Sequence, residues 1–95
     1  MTNDEYRISN DKAANRGRQI LVPDLGLDDV PIRLSVWLVR RGRRVEAGEP
    51  VVEILAGPAT VDLSAPDDGV LAEKLVGEDE AVEVGQTLGV IRPDR

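Results

Sequence analysis

Beyond residue 19, the apolar positions fall in short runs that are separated by glycine, proline and aspartate. Runs of three to seven apolar residues with turn residues between them are typical of short β-strands. No segment sustains the apolar spacing of an amphipathic helix. The pattern therefore predicts an all-β fold with strands at residues 20–22, 32–39, 45–46, 51–55, 60–64, 69–75, 81–84 and 88–91.

The first 18 residues are polar and charged and show no apolar period. Such a segment cannot bury enough apolar surface to order itself. A chain of 95 residues also has room for only one domain of ordinary size. We therefore expect a flexible tail at residues 1–18, one folded domain at residues 19–92 and a short C-terminal end at residues 93–95.

The predicted strands form an internal repeat. Residues 38–54 align with residues 75–91 at a constant offset of 37, and six of the seventeen aligned positions are identical. Upstream, the segment 23–26 matches the segment 66–69 at an offset of 43, so the first copy carries about six extra residues, which we place in the loop 27–31. Two copies of one unit, each too small to bury its own apolar face, predict a quasi-twofold sandwich with a shared core.

The composition excludes most catalytic chemistry. The chain has no Cys and no His, which removes disulfides, thiol nucleophiles, most transition-metal sites and the usual general base. No carboxylate pair lies beside a base, a nucleophile or a phosphate-binding glycine loop, so we expect neither an active site nor a metal site.

Charge and hydropathy limit the partners. The formal net charge of −6 disfavours nucleic acid, because nonspecific binding to it depends on Lys and Arg that neutralise phosphates. No apolar run approaches the roughly 20 residues of a membrane span, and the N-terminus lacks the parts of a signal peptide. We expect a protein partner, no membrane contact and a cytoplasmic location.

The segment from residue 53 to residue 59 has the sequence Glu53-Ile54-Leu55-Ala56-Gly57-Pro58-Ala59. Together with other short motifs it resembles lipoyl domains of the acyltransferase component of 2-oxo acid dehydrogenase complexes, in the biotinyl/lipoyl family, over roughly residues 20–91. This resemblance implies a flattened barrel of two four-stranded sheets, with an attachment hairpin at one end. The other matching positions are Pro23, Leu25, Gly26, Trp37, Leu38, Val39, Gly42, Val45, Gly48, Pro66, Gly69, Val70, Leu75, Val76, Val82 and Gly85.

The chain departs from the family at the position that carries the cofactor. The lipoyl hairpin reads Glu-Ile-Glu-Thr-Asp-Lys-Ala, and its lysine is replaced here by Pro58. The biotin signature Ala-Met-Lys-Met is also absent, so we expect no attached cofactor. Arg43 stands where the family commonly has Asp, and Asp79 stands where the second copy has Gly. Because Asp tolerates a left-handed turn better than most residues, Asp79 is compatible with the fold.

The hairpin tip consists of Ala56, Gly57, Pro58 and Ala59. Because Pro fixes its own φ, the segment 57–60 is expected to be a rigid turn with Pro58 at its second position. Two interpretations remain open. In the first, Gly-Pro is simply a favourable turn sequence in a domain that has lost its carrier role. In the second, the tip is shaped to dock into a partner without being modified.

Only two lysines are present, Lys12 in the tail and Lys74 in a predicted strand. Lys74 aligns with Trp37 in the repeat and is therefore expected to be a solvated strand residue, not a displaced attachment site. Trp37 is expected to be a core or half-buried residue.

The two copies carry opposite charges at equivalent turns. The basic turn of the first copy corresponds to the acidic turn of the second. Solvated loops are the simpler interpretation, but such a dipole could also steer an oriented partner or promote weak head-to-tail contacts. Candidate partner contacts are Asp28, Asp29, Arg40, Arg41, Arg43, Arg44, Glu78, Asp79 and Glu80.

The sequence therefore favours an unmodified lipoyl-like domain that is not catalytic and acts as a binding or assembly module. Its protein partner is unknown, and a component of a multienzyme complex is one candidate. A first alternative is a lipoyl or biotin carrier of a 2-oxo acid dehydrogenase or a related acyl- or carboxyl-transfer system. A second is a structural adaptor similar to the lysine-free lipoyl-like domains of membrane-fusion proteins.

Overall fold

The structure, a computed structural model, describes residues 17–27 and 29–93. These residues contain eight strands and no helix, and every predicted strand is present with ends that differ by at most two residues. Most of the predicted tail and Asp28 lie outside the described residues, and the first strand already begins at Arg18. The strands are β1 (Arg18–Leu21), β2 (Ile32–Trp37), β3 (Arg44–Val45), β4 (Pro50–Ala56), β5 (Ala59–Ser64), β6 (Gly69–Lys74), β7 (Ala81–Val82) and β8 (Thr87–Arg92).

The described strands form two four-stranded antiparallel sheets. One sheet has the order β1-β8-β6-β3 and the other has the order β5-β4-β2-β7. Each sheet therefore takes strands from both halves of the chain, which confirms the all-β fold of two sheets that share one core.

The internal repeat is preserved in the register of the strands. Adding 37 to the residue numbers of β2 and β3 gives the bounds of β6 and β7. The pair Leu34↔Ile54 of β2 and β4 corresponds to Leu71↔Ile91 of β6 and β8, and each strand pair has its irregularity at the residue after the leucine. The quasi-twofold symmetry predicted from the sequence is confirmed.

The extra residues of the first copy lie between its first two strands. Residues 22–31 connect β1 to β2, whereas only residues 65–68 connect β5 to β6. The match of Gly26 to Gly69 in the sequence is not a structural one, because Gly69 begins β6 and its counterpart is Ile32. A Cβ at Gly69 would collide with the Arg92 carbonyl, which explains the glycine at that position independently of any turn.

The core is aliphatic and is built from repeat-equivalent pairs. Leu34 and Leu71 are both fully buried, and so are Ile54 and Ile91. No polar or charged residue is buried among the described residues. The two sheets are therefore held together by burial of branched aliphatic side chains, each worth roughly 1.5 to 3 kcal/mol relative to exposure.

Trp37 and its repeat equivalent Lys74 contact each other between the two halves of the chain. The Trp37 indole Nε1 donates to the Val76 carbonyl at 3.0 Å, and Lys74 Nζ lies 5.4 Å from the centroid of the Trp37 ring. A Cβ at Gly89 would lie 2.9 Å from the edge of the indole. Trp37 is half-buried and Lys74 is an exposed strand residue, as the sequence predicts.

Gly89→Ala is expected to destabilise the domain by about 1 to 3 kcal/mol, because the new methyl group must displace both the Glu73 carbonyl and the indole. Gly77→Ala is the matched control, since the nearest side-chain atom to its Cβ lies at 3.7 Å. Urea denaturation followed by the emission of Trp37 measures both variants. An equal loss in the two variants would contradict the packing described here.

Candidate functional site

The hairpin between β4 and β5 has a loop of two residues. Ala56 pairs with Ala59, which leaves Gly57 and Pro58 as the loop. Gly57 has a φ of 59°, and the ring of Pro58 fixes its φ near −65°. A glycine with positive φ followed by a residue with negative φ is the type II′ pattern, whose twist matches that of the flanking strands.

The turn predicted at residues 57–60 is therefore wrong by one residue. Ala59 and Thr60 are already paired strand residues of β5, and Pro58 occupies the third position of the turn instead of the second. The prediction followed the preference of type I and type II turns for Pro at the second position. The antiparallel pair instead selects a turn that begins with the positive φ of Gly57.

The tip is exposed and carries no nucleophile. Gly57, Pro58 and Ala59 are exposed, whereas Ala56 is fully buried. The pyrrolidine ring of Pro58 has no N–H and no side-chain amine, so this position cannot form the amide that joins a lipoyl or biotinyl group to a lysine. The exposed side-chain atoms of Pro58 and Ala59 are all apolar.

Val30 and Pro31 of the inserted loop pack against this tip. Gly57 N donates to the Pro31 carbonyl at 3.1 Å, and a Cβ built on Gly57 would lie 2.9 Å from Val30 Cγ1. A recess of about 200 Å³ lies beside this contact and is lined by Pro31, Arg33, Leu55 and Gly57. We call the hydrogen bond from Gly57 to Pro31, together with the approach of Gly57 to Val30, the tip brace. The sequence predicts the loop but not the brace, for which the lone apolar Val30 before Pro31 was the available signal.

The structure places the candidate contacts of the two charged turns at repeat-equivalent positions. Gly42 N donates to the Leu71 carbonyl at 2.8 Å, and Asp79 N donates to the Leu34 carbonyl at 2.7 Å. Asp79 has a φ of 72° where Gly42 has 92°, so the acidic turn keeps the left-handed conformation without glycine. Asp29 also has a positive φ and lies exposed in the inserted loop.

The arginines of the basic turn have different surroundings. Arg43 Nη1 lies 2.6 Å from Glu49 Oε2, and Glu46 N donates to Glu49 Oε1 at 3.2 Å. These hydrogen bonds, led by that of Arg43, lower the pKa of the Glu49 carboxyl. Arg44 lies 3.7 Å from Glu46, and Arg41 Nε donates to the Ala72 carbonyl at 3.0 Å. Arg40 is exposed and makes no ion pair among the described residues.

Within residues 17–27 and 29–93, no group of three or more His, Cys, Asp or Glu side chains is arranged to hold a metal ion. The same residues contain no helix with the length and hydrophobicity needed to cross a membrane.

Comparison with known proteins gives matches over the whole folded region. A family model described as "Biotin-requiring enzyme" matches residues 18–91. The dihydrolipoyllysine-residue succinyltransferase component of the 2-oxoglutarate dehydrogenase complex of Staphylococcus saprophyticus is 33% identical over 73 residues, which are 77% of this chain and 17% of that protein. The mitochondrial pyruvate dehydrogenase complex protein X component of Chaetomium thermophilum is 31% identical over 81 residues, with coverages of 83% and 18%.

Solved structures show the same fold in larger enzymes. The urea carboxylase of Kluyveromyces lactis superposes with a TM-score of 0.67 at 23% identity, over 79% of this chain and 6% of the carboxylase. This chain therefore spans less than a fifth of the curated relatives described above and a smaller share still of that enzyme.

Gly57→Ala is expected to cost about 1 to 2 kcal/mol for the left-handed backbone alone, and more because the methyl group meets Val30. Adding Val30→Ala should recover the second part. Gly85→Ala is the control, since its φ of 87° imposes a similar strain with no atom within 4 Å. A double-mutant cycle by urea denaturation checks this, and equal coupling of Val30→Ala to both glycine variants would show that the brace is not formed.

Arg43→Gln is expected to raise the pKa of Glu49 towards its ordinary value, whereas Arg40→Gln should leave it unchanged. A lowered folded-state pKa means that the stabilisation by this pair is complete above the unfolded value of about 4.3 and is lost as pH falls through the folded value. Carboxyl ¹³C titration by NMR measures the shift. Identical titrations in the wild type and Arg43→Gln would contradict the assignment.

Proposed function

The chain belongs to the biotin/lipoyl attachment domain family, and we propose that it is an unmodified lipoyl-like domain that acts as a binding or assembly module. The observation that carries this proposal is Pro58. It lies exposed in the two-residue hairpin loop, at the position where the resembled hairpin has its lysine. The backbone of an attachment hairpin is present at this position, and the acceptor amine is missing.

The surroundings of Lys74 support the same conclusion. Lys74 lies at the end of β6, pairs with Gly89 of β8 and holds its ammonium over the Trp37 ring. A ligase that reads a lysine protruding from a tight turn would not meet that geometry at Lys74. Lys12 lies outside the described residues.

The tip brace supports a docking role. Because the inserted loop already holds Gly57 in place, the tip loses little conformational freedom when it enters a partner's pocket. The names of the relatives indicate components of multienzyme complexes, and we propose a protein of such a complex as the partner. A cytoplasmic location without nucleic-acid or membrane partners belongs to the same proposal.

We expect the purified protein to carry no lipoyl or biotinyl adduct after co-expression with lipoate and biotin ligases. Intact-mass spectrometry measures this, with a lysine-bearing lipoyl domain of one of the relatives as the positive control. An adduct on Lys74 would overturn the proposal and favour the carrier interpretation.

Pro58→Lys should restore an amine at the tip and permit at least partial lipoylation. Adding Leu55→Glu and Gly57→Asp should increase the yield, because the triple variant rebuilds the acidic side chains of the lipoyl hairpin. Asp tolerates the φ of 59° at residue 57, but its Cβ meets Val30, so Val30→Ala is added as a companion change. If this variant keeps the wild-type Trp37 emission and stays unmodified, divergence extends beyond the tip.

Affinity capture from the native organism tests the docking role. The wild-type domain should retain a partner that is lost with Pro58→Lys. Equal retention of the partner by the wild type and Pro58→Lys would show that the partner binds elsewhere on the domain.

A further inference from the structure

Two surface segments lie side by side around the pseudo-twofold axis. Trp37 N donates to Glu78 Oε2 at 3.4 Å, and the Trp37 indole donates to the Val76 carbonyl. Arg41 lines a recess together with Lys74 and Leu75. The segments 37–41 and 74–78 are therefore neighbours that run in opposite directions. We call the exposed side chains of these neighbouring segments the dyad face, which consists of Leu38, Arg41, Leu75 and Glu78.

The dyad face presents two leucines to solvent. Leu38 is 44% exposed and Leu75 is 54% exposed, and the internal repeat makes them equivalent. Single exposed leucines are ordinary on protein surfaces. Here the two leucines lie at equivalent positions of two neighbouring segments, so each half of the chain contributes one apolar side chain to the dyad face.

The dyad face also carries opposite charges. Arg41 and Glu78 occupy equivalent positions of the two copies, so they lie on opposite sides of the axis. Among the described residues neither makes an ion pair with another side chain. A surface that carries a positive group on one side and a negative group on the other is complementary to itself.

We propose that the dyad face binds the dyad face of a second copy of this chain in an isologous dimer. The twofold axis of this dimer lies parallel to the face and perpendicular to the line from Arg41 to Glu78. Rotation about this axis brings each Arg41 opposite the Glu78 of the other copy. The leucines of both copies then meet in the centre. Such a closed contact satisfies both charge pairs at once, as a twofold interface requires.

This contact is independent of the hairpin tip and goes beyond the proposed function. It uses neither Pro58 nor the tip brace, so the tips stay available to other partners in the dimer. The face is small, and the net charge of −6 opposes association of two copies. A weak dimer is therefore expected, of the transient class with small interfaces.

A charge-swap experiment on the full chain tests the proposal. Sedimentation velocity and NMR translational diffusion, up to about 1 mM protein as weak contacts of this size require, should show dimer formation by the wild type. Arg41→Glu creates a face with two acidic groups and Glu78→Arg a face with two basic groups, so each alone should associate at least about tenfold more weakly. An equimolar mixture of the two variants should restore the dimer, because opposite charges then meet at both contacts.

Matched controls separate this contact from general charge effects. Arg33→Glu and Glu83→Arg make the same charge changes at exposed positions outside the dyad face, and neither should weaken association. Leu38→Ser with Leu75→Ser should weaken it, with Trp37 emission as the check on folding. Three results would each overturn the proposal: a wild type that stays monomeric throughout, species larger than a dimer that indicate head-to-tail assembly, or a mixture that fails to restore the dimer.

Discussion

Neither half of this chain can bury its own aliphatic face, and this constraint determines the rest of the structure. Each half supplies only short strands, and their inward side chains are Val, Leu, Ile and Ala. The halves therefore exchange strands between two sheets, and equivalent residues such as Leu34 and Leu71 pack into one core. The two copies therefore keep the same strand register, since equivalent residues must reach the same core.

The strands could be predicted because their signals are local. Short apolar runs, turn residues and the offset of 37 are visible in the chain, and all eight strands follow from them. The position of the Gly57-Pro58 turn was less accessible, since it depends on which residues of β4 and β5 pair. Propensity alone favours Pro at the second position, but the twist of a two-residue hairpin requires the positive φ of Gly57 first.

The tip brace could not be predicted for a different reason. It joins the backbone N–H of Gly57 to the backbone carbonyl of Pro31, groups that every such sequence possesses. Val30 before Pro31 marks an apolar residue in the loop, but it does not indicate which loop carbonyl a distant amide will meet. The proline at residue 58, by contrast, is a matter of side-chain identity and is read directly from the sequence. Gly57 and Pro58 complete the two-residue hairpin, so the turn itself does not depend on a lysine.

The pairing of β1 with β8 places Arg18 opposite Ile91, so the polypeptide enters and leaves the domain at neighbouring points. The quasi-twofold rotation relates this entrance to the β4–β5 tip, because the same pairing recurs between Ile54 and Val61. A point and its rotated image lie on opposite sides of the axis. A polypeptide joined to either end of the domain is therefore attached on one side of the axis, and Pro58 lies on the opposite side.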